Sequence, residues 1–150
     1  MFWKEEEKQE ITKICKDRFR RRKTVSKVFG YPKFDEYGEM ILTTYDNDYK
    51  AMMMDIRVYS MKAGYSRTFK RDGEEIAVLL LSGKVTYTWE NEKATVSRKD
   101  VFTEGPWALH VSGGKEIIVT AEEESEILVQ CTHNDKTFAS KLYSPDDAPW

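Results

Sequence analysis

The side chains that could do chemistry are few in this 150-residue sequence, and they lie far apart along it. Lys70 and Asp72 lie two residues apart in "TFKRDGEE", where the lysine ammonium suits the carboxylate of a ligand. His110, in the apolar stretch "PWALHV", is a candidate acid, base or ligand-binding group. Tyr87 and Trp107 are candidates to line a sugar-sized cavity, because aromatic faces stack on the C–H-rich surfaces of sugars. These five residues are the predicted ligand-binding site.

Each candidate also has an ordinary structural interpretation. A histidine in an apolar segment is usually satisfied by a backbone carbonyl, and a lysine and an aspartate beside Gly73 are typical of a solvated turn. Aromatic side chains usually fill a core. His133, the other histidine, lies far along the chain, so the sequence does not group the residues of a familiar catalytic or metal site.

One helix is predicted before the main body of the chain. Residues 4–23 carry a narrow apolar stripe at helical spacing, with acidic residues in the first turns and basic residues in the last turn. The stripe consists of Ile11, Ile14, Cys15 and Phe19. We expect this helix to pack outside the domain that follows.

Residues 40–145 have the pattern of a dense antiparallel β-structure. Turn signals at 82–84, 90–93 and 112–114 separate short apolar or alternating segments. The run at 76–81 does not alternate, which predicts a strand covered on both faces. Strands are expected near 40–45, 51–61, 65–70, 75–82, 84–90, 92–97, 100–103, 107–111, 115–121, 125–132 and 137–143. The pattern predicts an all-β sandwich or barrel.

Composition and charge narrow the class of protein. The length fits one domain, the net charge of −2 gives no general attraction to nucleic acid, and the apolar runs are too short to cross a membrane. Two cysteines and an acidic N-terminus predict a soluble, cytoplasmic protein. The basic segment at 18–23 is typical of a solvated helix end, and binding of nucleic acid or a partner through it is an alternative.

Residues 74–129 resemble the N-terminal half of the 5-deoxy-glucuronate isomerase family. Together with the 5-keto-4-deoxyuronate isomerases, this family consists of bicupins that act on sugar acids. The resemblance rests on "EEIAVLLLSG", "RKDVF" and "GPWALHV", then "VTAE" and "LYSPDD". It covers roughly residues 48–147 and implies a cupin-type antiparallel β-barrel, or jelly roll. We therefore expect one cupin domain over 40–150, preceded at 1–39 by the helix and a connecting loop.

A cupin usually holds a divalent ion on three imidazoles and one carboxylate. The general cupin motif, laid over residues 64–83, places Lys70, Asp72 and Ile76 at ligand positions, with Glu75 one residue out of register. An ammonium group has no lone pair, and isoleucine cannot bind a metal. The resemblance implies that the metal-binding histidines of the family belong to its C-terminal cupin. We predict neither a metal nor another cofactor in this chain.

We expect a metal-free cupin that binds a small sugar acid, or only itself, without turnover and that serves an assembly role. An active aldose–ketose isomerase that uses a second cupin or a partner chain is the alternative, so whether the chain is an enzyme stays open. A chain holding one half of a bicupin leaves a sheet face uncovered, which predicts a homodimer. Both a half-length protein and one half of a longer bicupin fit the sequence.

Overall fold

The computed structural model describes residues 31–148, which are built almost entirely from antiparallel β-strands. The nine strands of this part of the chain are β1 (Glu39–Thr43), β2 (Asp55–Met61), β3 (Ser66–Lys70), β4 (Glu74–Trp89), β5 (Glu92–Arg98), β6 (Trp107–Val111), β7 (Glu116–Ala121), β8 (Ser125–His133) and β9 (Lys141–Tyr143). Two 3₁₀ helices span Lys50–Met52 and Pro145–Asp147. The helix predicted at 4–23 lies outside the described residues. The division of the chain at residues 39 and 40 stays a prediction.

None of the helices described is long and apolar enough to cross a membrane.

Strand β4 belongs to both layers of the fold. Its first half pairs with β8 and β6 in a sheet ordered β1-β2-β8-β4-β6-β9. Its second half pairs with β7 and β5, and β3 joins on the far side of β7. The predicted all-β architecture with antiparallel pairing is confirmed.

A β-bulge lets β4 pass from one layer to the other. The register shifts between Leu80 and Ser82, and Gly83 follows with a φ of +98°. A Cβ atom on Gly83 would lie 2.3 Å from the Oγ atom of Ser125, so a larger residue does not fit. The predicted hairpin at 82–84 is therefore wrong, because this segment bends one strand and does not reverse it.

The bulge also changes which positions of β4 face the core. The extra residue moves the inward side chains from even-numbered to odd-numbered positions. The buried side chains are Ile76, Val78 and Leu80 before the bulge, and Val85, Tyr87 and Trp89 after it. Ala77 and Leu79 are only half-buried on the opposite face, so the run at 76–81 is less completely covered than its sequence predicts.

The fold is an open roll, and the expectation of a closed barrel is corrected. Strands β1 and β9 end one sheet and β3 and β5 end the other, with no ladder joining β1 to β3 among the described residues. Side chains bridge this open side instead. The rings of Tyr59 and Phe69 lie 5.3 Å apart, and the Arg67 guanidinium lies 4.5 Å from the centre of the Tyr59 ring.

Further strand predictions differ from the structure. Residues 100–103 form a turn, because Oδ1 of Asp100 accepts hydrogen bonds from the amides of Phe102 and Thr103, each at 2.8 Å. The strand expected at 51–61 begins only at Asp55, after a 3₁₀ turn, and the strand expected at 137–143 begins only at Lys141. A side chain such as that of Asp100, which accepts hydrogen bonds from nearby backbone amides, competes with strand pairing, and the apolar pattern alone does not detect this.

Candidate functional site

The structure does not bring the five predicted site residues together. Tyr87 is fully buried in the core, where burial raises the pKa of its phenol, and Trp107 packs against the same core. Lys70 is exposed at the end of β3, and Asp72 is exposed in the turn before β4. His110 lies on the outer face of the sheet, because its neighbours on β6 are both fully buried in the core. A ligand-binding role for these residues stays a prediction.

The motif positions do not fit the metal ion that the cupin fold implies. Ile76 is fully buried among apolar side chains, whereas Lys70 and Asp72 are exposed to solvent. Among residues 31–148, no three histidine, cysteine or acidic side chains come close enough to hold an ion. His110 faces outward and His133 lies beside the inward-facing Glu74, so the two imidazoles do not converge.

A cluster of charged residues lies instead at the inner edge of the core, where β2, β4 and β8 meet. We call Asp55, Arg57, Arg71 and Glu74 the acid–arginine cluster. The Asp55 side chain is only 6% exposed, and its two oxygens accept hydrogen bonds from Nε of Arg57 at 2.7 Å and Nη2 of Arg57 at 2.9 Å. Arg71 approaches the same carboxylate at 3.3 Å. Two guanidinium groups thus balance one buried carboxylate.

Arg57 is fully engaged within this cluster. Its remaining nitrogen, Nη1, donates to Oε1 of Glu39 at 2.8 Å. The hydrogen bond from Arg57 lowers the pKa of Glu39, and the same carboxylate accepts a hydrogen bond from the Tyr59 hydroxyl at 2.9 Å. Burial, and then the bond to Glu39, raise the pKa of Tyr59 to about 12. All three nitrogens of Arg57 are therefore engaged within the cluster, which this side chain holds together.

Glu74 and Arg71 are less completely paired. The Glu74 side chain is 8% exposed, and its Oε1 atom is buried without a hydrogen-bond partner among the described residues. Arg71 is 42% exposed and lies 3.5 Å from the other oxygen of Glu74. His133 pairs with Glu74 across the β4–β8 ladder, and its Nδ1 atom lies 3.8 Å from Oε1. A buried oxygen that accepts no hydrogen bond is costly, so this position is suited to a donor from outside.

Tyr45 closes the other side of Glu74. Its ring stacks on His133 at 4.4 Å, and its hydroxyl donates to the carbonyl oxygen of Cys131 at 3.3 Å. Burial, and then the hydrogen-bonding interaction with the Glu74 carboxylate, raise the pKa of Tyr45, whose hydroxyl donates in this structure to Cys131. The His133 side chain is 73% exposed, so it is the part of this rim that can move aside without disturbing the core.

A second polar site lies on the outer face of the same sheet. A cavity of about 340 Å³ is lined by Glu75, Ala77, Ala108, His110, Gln130, Thr132 and Tyr143, and we call it the His110 groove. Nε2 of His110 lies 3.7 Å from Oε2 of Glu75, and that oxygen accepts a hydrogen bond from the Asn134 amide at 2.6 Å. The imidazole also packs on the Phe138 ring at 4.7 Å.

The sequence of this chain matches one known family over most of its length. The model of the KduI/IolB family matches residues 30–150, which is most of the chain. The chain belongs to the KduI/IolB family. The resemblance drawn from "EEIAVLLLSG" and "GPWALHV" is thereby confirmed, and the cupin assignment with it. The comparison with curated proteins finds no match.

Solved structures show the same fold at low sequence identity. An IolB-like protein from Salmonella typhimurium LT2 is 20% identical, with a TM-score of 0.66. The match covers 75% of this chain and 44% of the IolB-like protein. A predicted oxalate decarboxylase from Thermotoga maritima is 12% identical with a TM-score of 0.52, covering 64% of this chain and 79% of its own. KdgF from Halomonas sp. is 12% identical, with a TM-score of 0.50. That match covers 70% of this chain and 89% of KdgF. The chain thus spans less than half the length of the IolB-like protein.

The sequence analysis did not identify the acid–arginine cluster, because it did not establish which residues of these strands face inward. Phe69 packs on the core, so Lys70 next to it is exposed, and the cation that reaches the inner edge is Arg71. In the same way Glu74 faces inward and Glu75 outward. The alternation of "TFKRDGEE" around Phe69 is the signal that could have identified Arg71.

Proposed function

We propose that this KduI/IolB-family cupin binds a small sugar acid at the acid–arginine cluster and does not turn it over. One observation supports the site above the others: the buried Oε1 atom of Glu74 accepts no hydrogen bond among the described residues and lies beside the half-exposed guanidinium of Arg71. An unpaired acceptor next to an available cation matches the hydroxyl and the carboxylate of one hydroxy acid.

Arg71 is the group proposed to meet the carboxylate of the ligand. Its contacts with Asp55 and Glu74, at 3.3 and 3.5 Å, are longer than those of Arg57, and its side chain is more exposed. A planar guanidinium binds a carboxylate through two parallel hydrogen bonds, which a lysine cannot do. The ligand thus gains a charged partner without breaking the Asp55–Arg57 pair that stabilises the fold.

Glu74 is proposed to accept a hydrogen bond from a hydroxyl group of the ligand. Satisfying a buried acceptor recovers about 1–3 kcal/mol that its burial costs. Because Oε1 is buried, His133 has to turn away from it, and the exposed imidazole can do so at the surface. His133 then becomes part of the rim of the site.

Binding without turnover is proposed because the described residues do not supply the whole chemistry. An aldose–ketose shift needs a base near the transferred proton and a group that stabilises the enediolate. The motif positions of the metal are occupied by Lys70, Asp72 and Ile76, which cannot together hold an ion that would stabilise the enediolate. The coverage of only 44% of the IolB-like protein supports one alternative, an active isomerase whose remaining groups come from a second cupin.

The test is a calorimetric titration of the chain with D-glucuronate. Arg71→Gln should weaken binding by about tenfold to a hundredfold, since a hydrogen bond to a charged group is worth about 1.5–3 kcal/mol. Lys70→Gln is the matched control, because it removes the neighbouring cation that is exposed on the other side of β3. An equal loss of glucuronate affinity in both variants would show a general effect of charge. An unchanged affinity in Arg71→Gln would reject the site.

A further inference from the structure

The His110 groove is separate from the acid–arginine cluster, although the two share strands β4 and β8. Glu74 faces inward, and Glu75 faces the groove on the opposite side of the sheet. The groove residues also lie next to one another across the ladders: Ala77 pairs with His110 on one side and with Gln130 on the other. Three strands therefore hold the polar groups of the groove in fixed positions on a small apolar floor.

The groove carries hydrogen-bonding capacity that the described residues do not use. Within residues 31–148, the His110 imidazole, the Gln130 side-chain amide and the Tyr143 hydroxyl take part in no hydrogen bond, and His110 has only its 3.7 Å approach to Glu75. Glu75 uses one oxygen to hold Asn134 and presents the other. Polar side chains that converge on a cavity and remain unpaired are typical of a binding site.

The chemistry of these groups selects the class of ligand. Imidazole, amide and phenol groups each donate and accept, which matches hydroxyl groups, and the Ala77 and Ala108 floor beside the Tyr143 ring suits C–H faces. The Glu75 carboxylate opposes an anion. The ammonium group of Lys141 lies 4.4 Å from the centre of the Tyr143 ring and 3.3 Å from Asp147, so its charge is already paired.

We propose that the His110 groove is a second binding site, for a neutral, polyhydroxylated molecule of about the size of one sugar ring. A cavity of about 340 Å³ lies within the size range of small-molecule sites. This site differs from the proposed sugar-acid site in its face of the sheet, in its residues and in the charge of its ligand. The two proposals can therefore fail independently.

The experiment is a ¹H–¹⁵N NMR titration of the chain with D-glucose and, in parallel, with D-glucuronate at millimolar concentrations. Glucose should cause saturable shifts of the backbone amides of Ala77, His110 and Gln130 and of the Gln130 side-chain amide. Glucuronate should bind there about tenfold more weakly, because its carboxylate meets Glu75. Glu75→Gln should remove that difference. An absence of saturable shifts with glucose, or a preference for glucuronate at these amides, would overturn the proposal.

Variants distinguish binding in the His110 groove from binding at the acid–arginine cluster. Gln130→Ala and His110→Ala should each weaken glucose binding about fivefold, the value of one neutral hydrogen bond. Lys70→Ala and Arg71→Gln should leave glucose binding unchanged, and Arg71→Gln should affect only glucuronate. If a groove variant does not fold, as shown by a poorly dispersed spectrum, the shifts of the groove amides in the wild-type chain test the proposal instead. Glucose affinity that is unaffected by both groove variants would contradict the proposal.

Discussion

Glu74 and Glu75 are adjacent on β4 and project to opposite faces of the sheet. The Glu74 carboxylate is 8% exposed and lies beside Arg71 at the inner edge of the core, whereas Glu75 is 25% exposed and faces His110 on the outside. The strand alternation therefore gives each carboxylate its own surroundings. Two polar sites of different character result from neighbouring residues.

The bulge in β4 should depend on glycine at position 83. Gly83→Ala should destabilise the fold by about 2 kcal/mol or more, since a Cβ atom would meet both a positive φ and the backbone at Ser125. Gly73→Ala is the control, because its φ is also positive but nothing lies within 4 Å of the new atom. Chemical denaturation of both variants measures the difference, and equal losses would contradict this account of the bulge.

Asp55 should be the residue on which the acid–arginine cluster depends most. Asp55→Ala leaves Arg57 and Arg71 without their shared, buried partner, and we expect a loss of about 3 kcal/mol in the free energy of unfolding. Asp72→Ala removes an exposed carboxylate from the nearby turn and should change stability little. A similar small effect in both variants would show that the cluster contributes little to the fold.

Glu39 should make stability depend on pH in the acid range. The hydrogen bond from Arg57 lowers the pKa of Glu39 in the folded chain, so its stabilising contribution is present above the unfolded pKa of about 4.3 and is lost as the pH falls through the lower folded value. The difference in stability between the wild type and Glu39→Gln should therefore shrink below about pH 4. Thermal unfolding across that range measures it, and a constant difference would contradict the pairing.

The chain is expected to form a homodimer through a sheet face. A continuous row of directly paired residues crosses six strands on the outer face: Met40, Val58, Leu128, Leu79, Ala108 and Tyr143. Val58 is already buried within the chain, whereas Met40 and Leu128 are only half-buried, and a second copy is expected to cover these partly exposed side chains beside the His110 groove. Light scattering at micromolar concentration should give the mass of a dimer. A stable monomer mass would rule it out.

Local sequence patterns predicted most of the fold. The strands predicted at 107–111 and 125–132 and the turn signals at 90–93 and 112–114 correspond to observed strands and turns. The bulge at Gly83 was mistaken for a turn because a glycine between two apolar segments is compatible with either structure. The choice is made by Ser125, which lies more than forty positions away and packs against the bulge.

The candidate sites were less predictable than the fold. His110 lies in an apolar strand, as its sequence context predicts, but the face that it occupies depends on Leu109 and Val111 entering the core. The pairing of Asp55 with Arg71 joins segments from different layers, and no local pattern encodes it. Tyr87 was predicted to line a cavity, and the sequence does not distinguish such a ring from one that fills the core.

Binding of a sugar acid without conversion is the central claim, and one measurement tests it most directly. The purified chain is titrated calorimetrically with D-glucuronate, and the sugar recovered from the cell is then analysed by NMR for the ketose. The account predicts saturable binding that Arg71→Gln weakens, together with unchanged glucuronate. An absence of binding, binding indifferent to Arg71→Gln, or formation of ketose by this chain alone would contradict it.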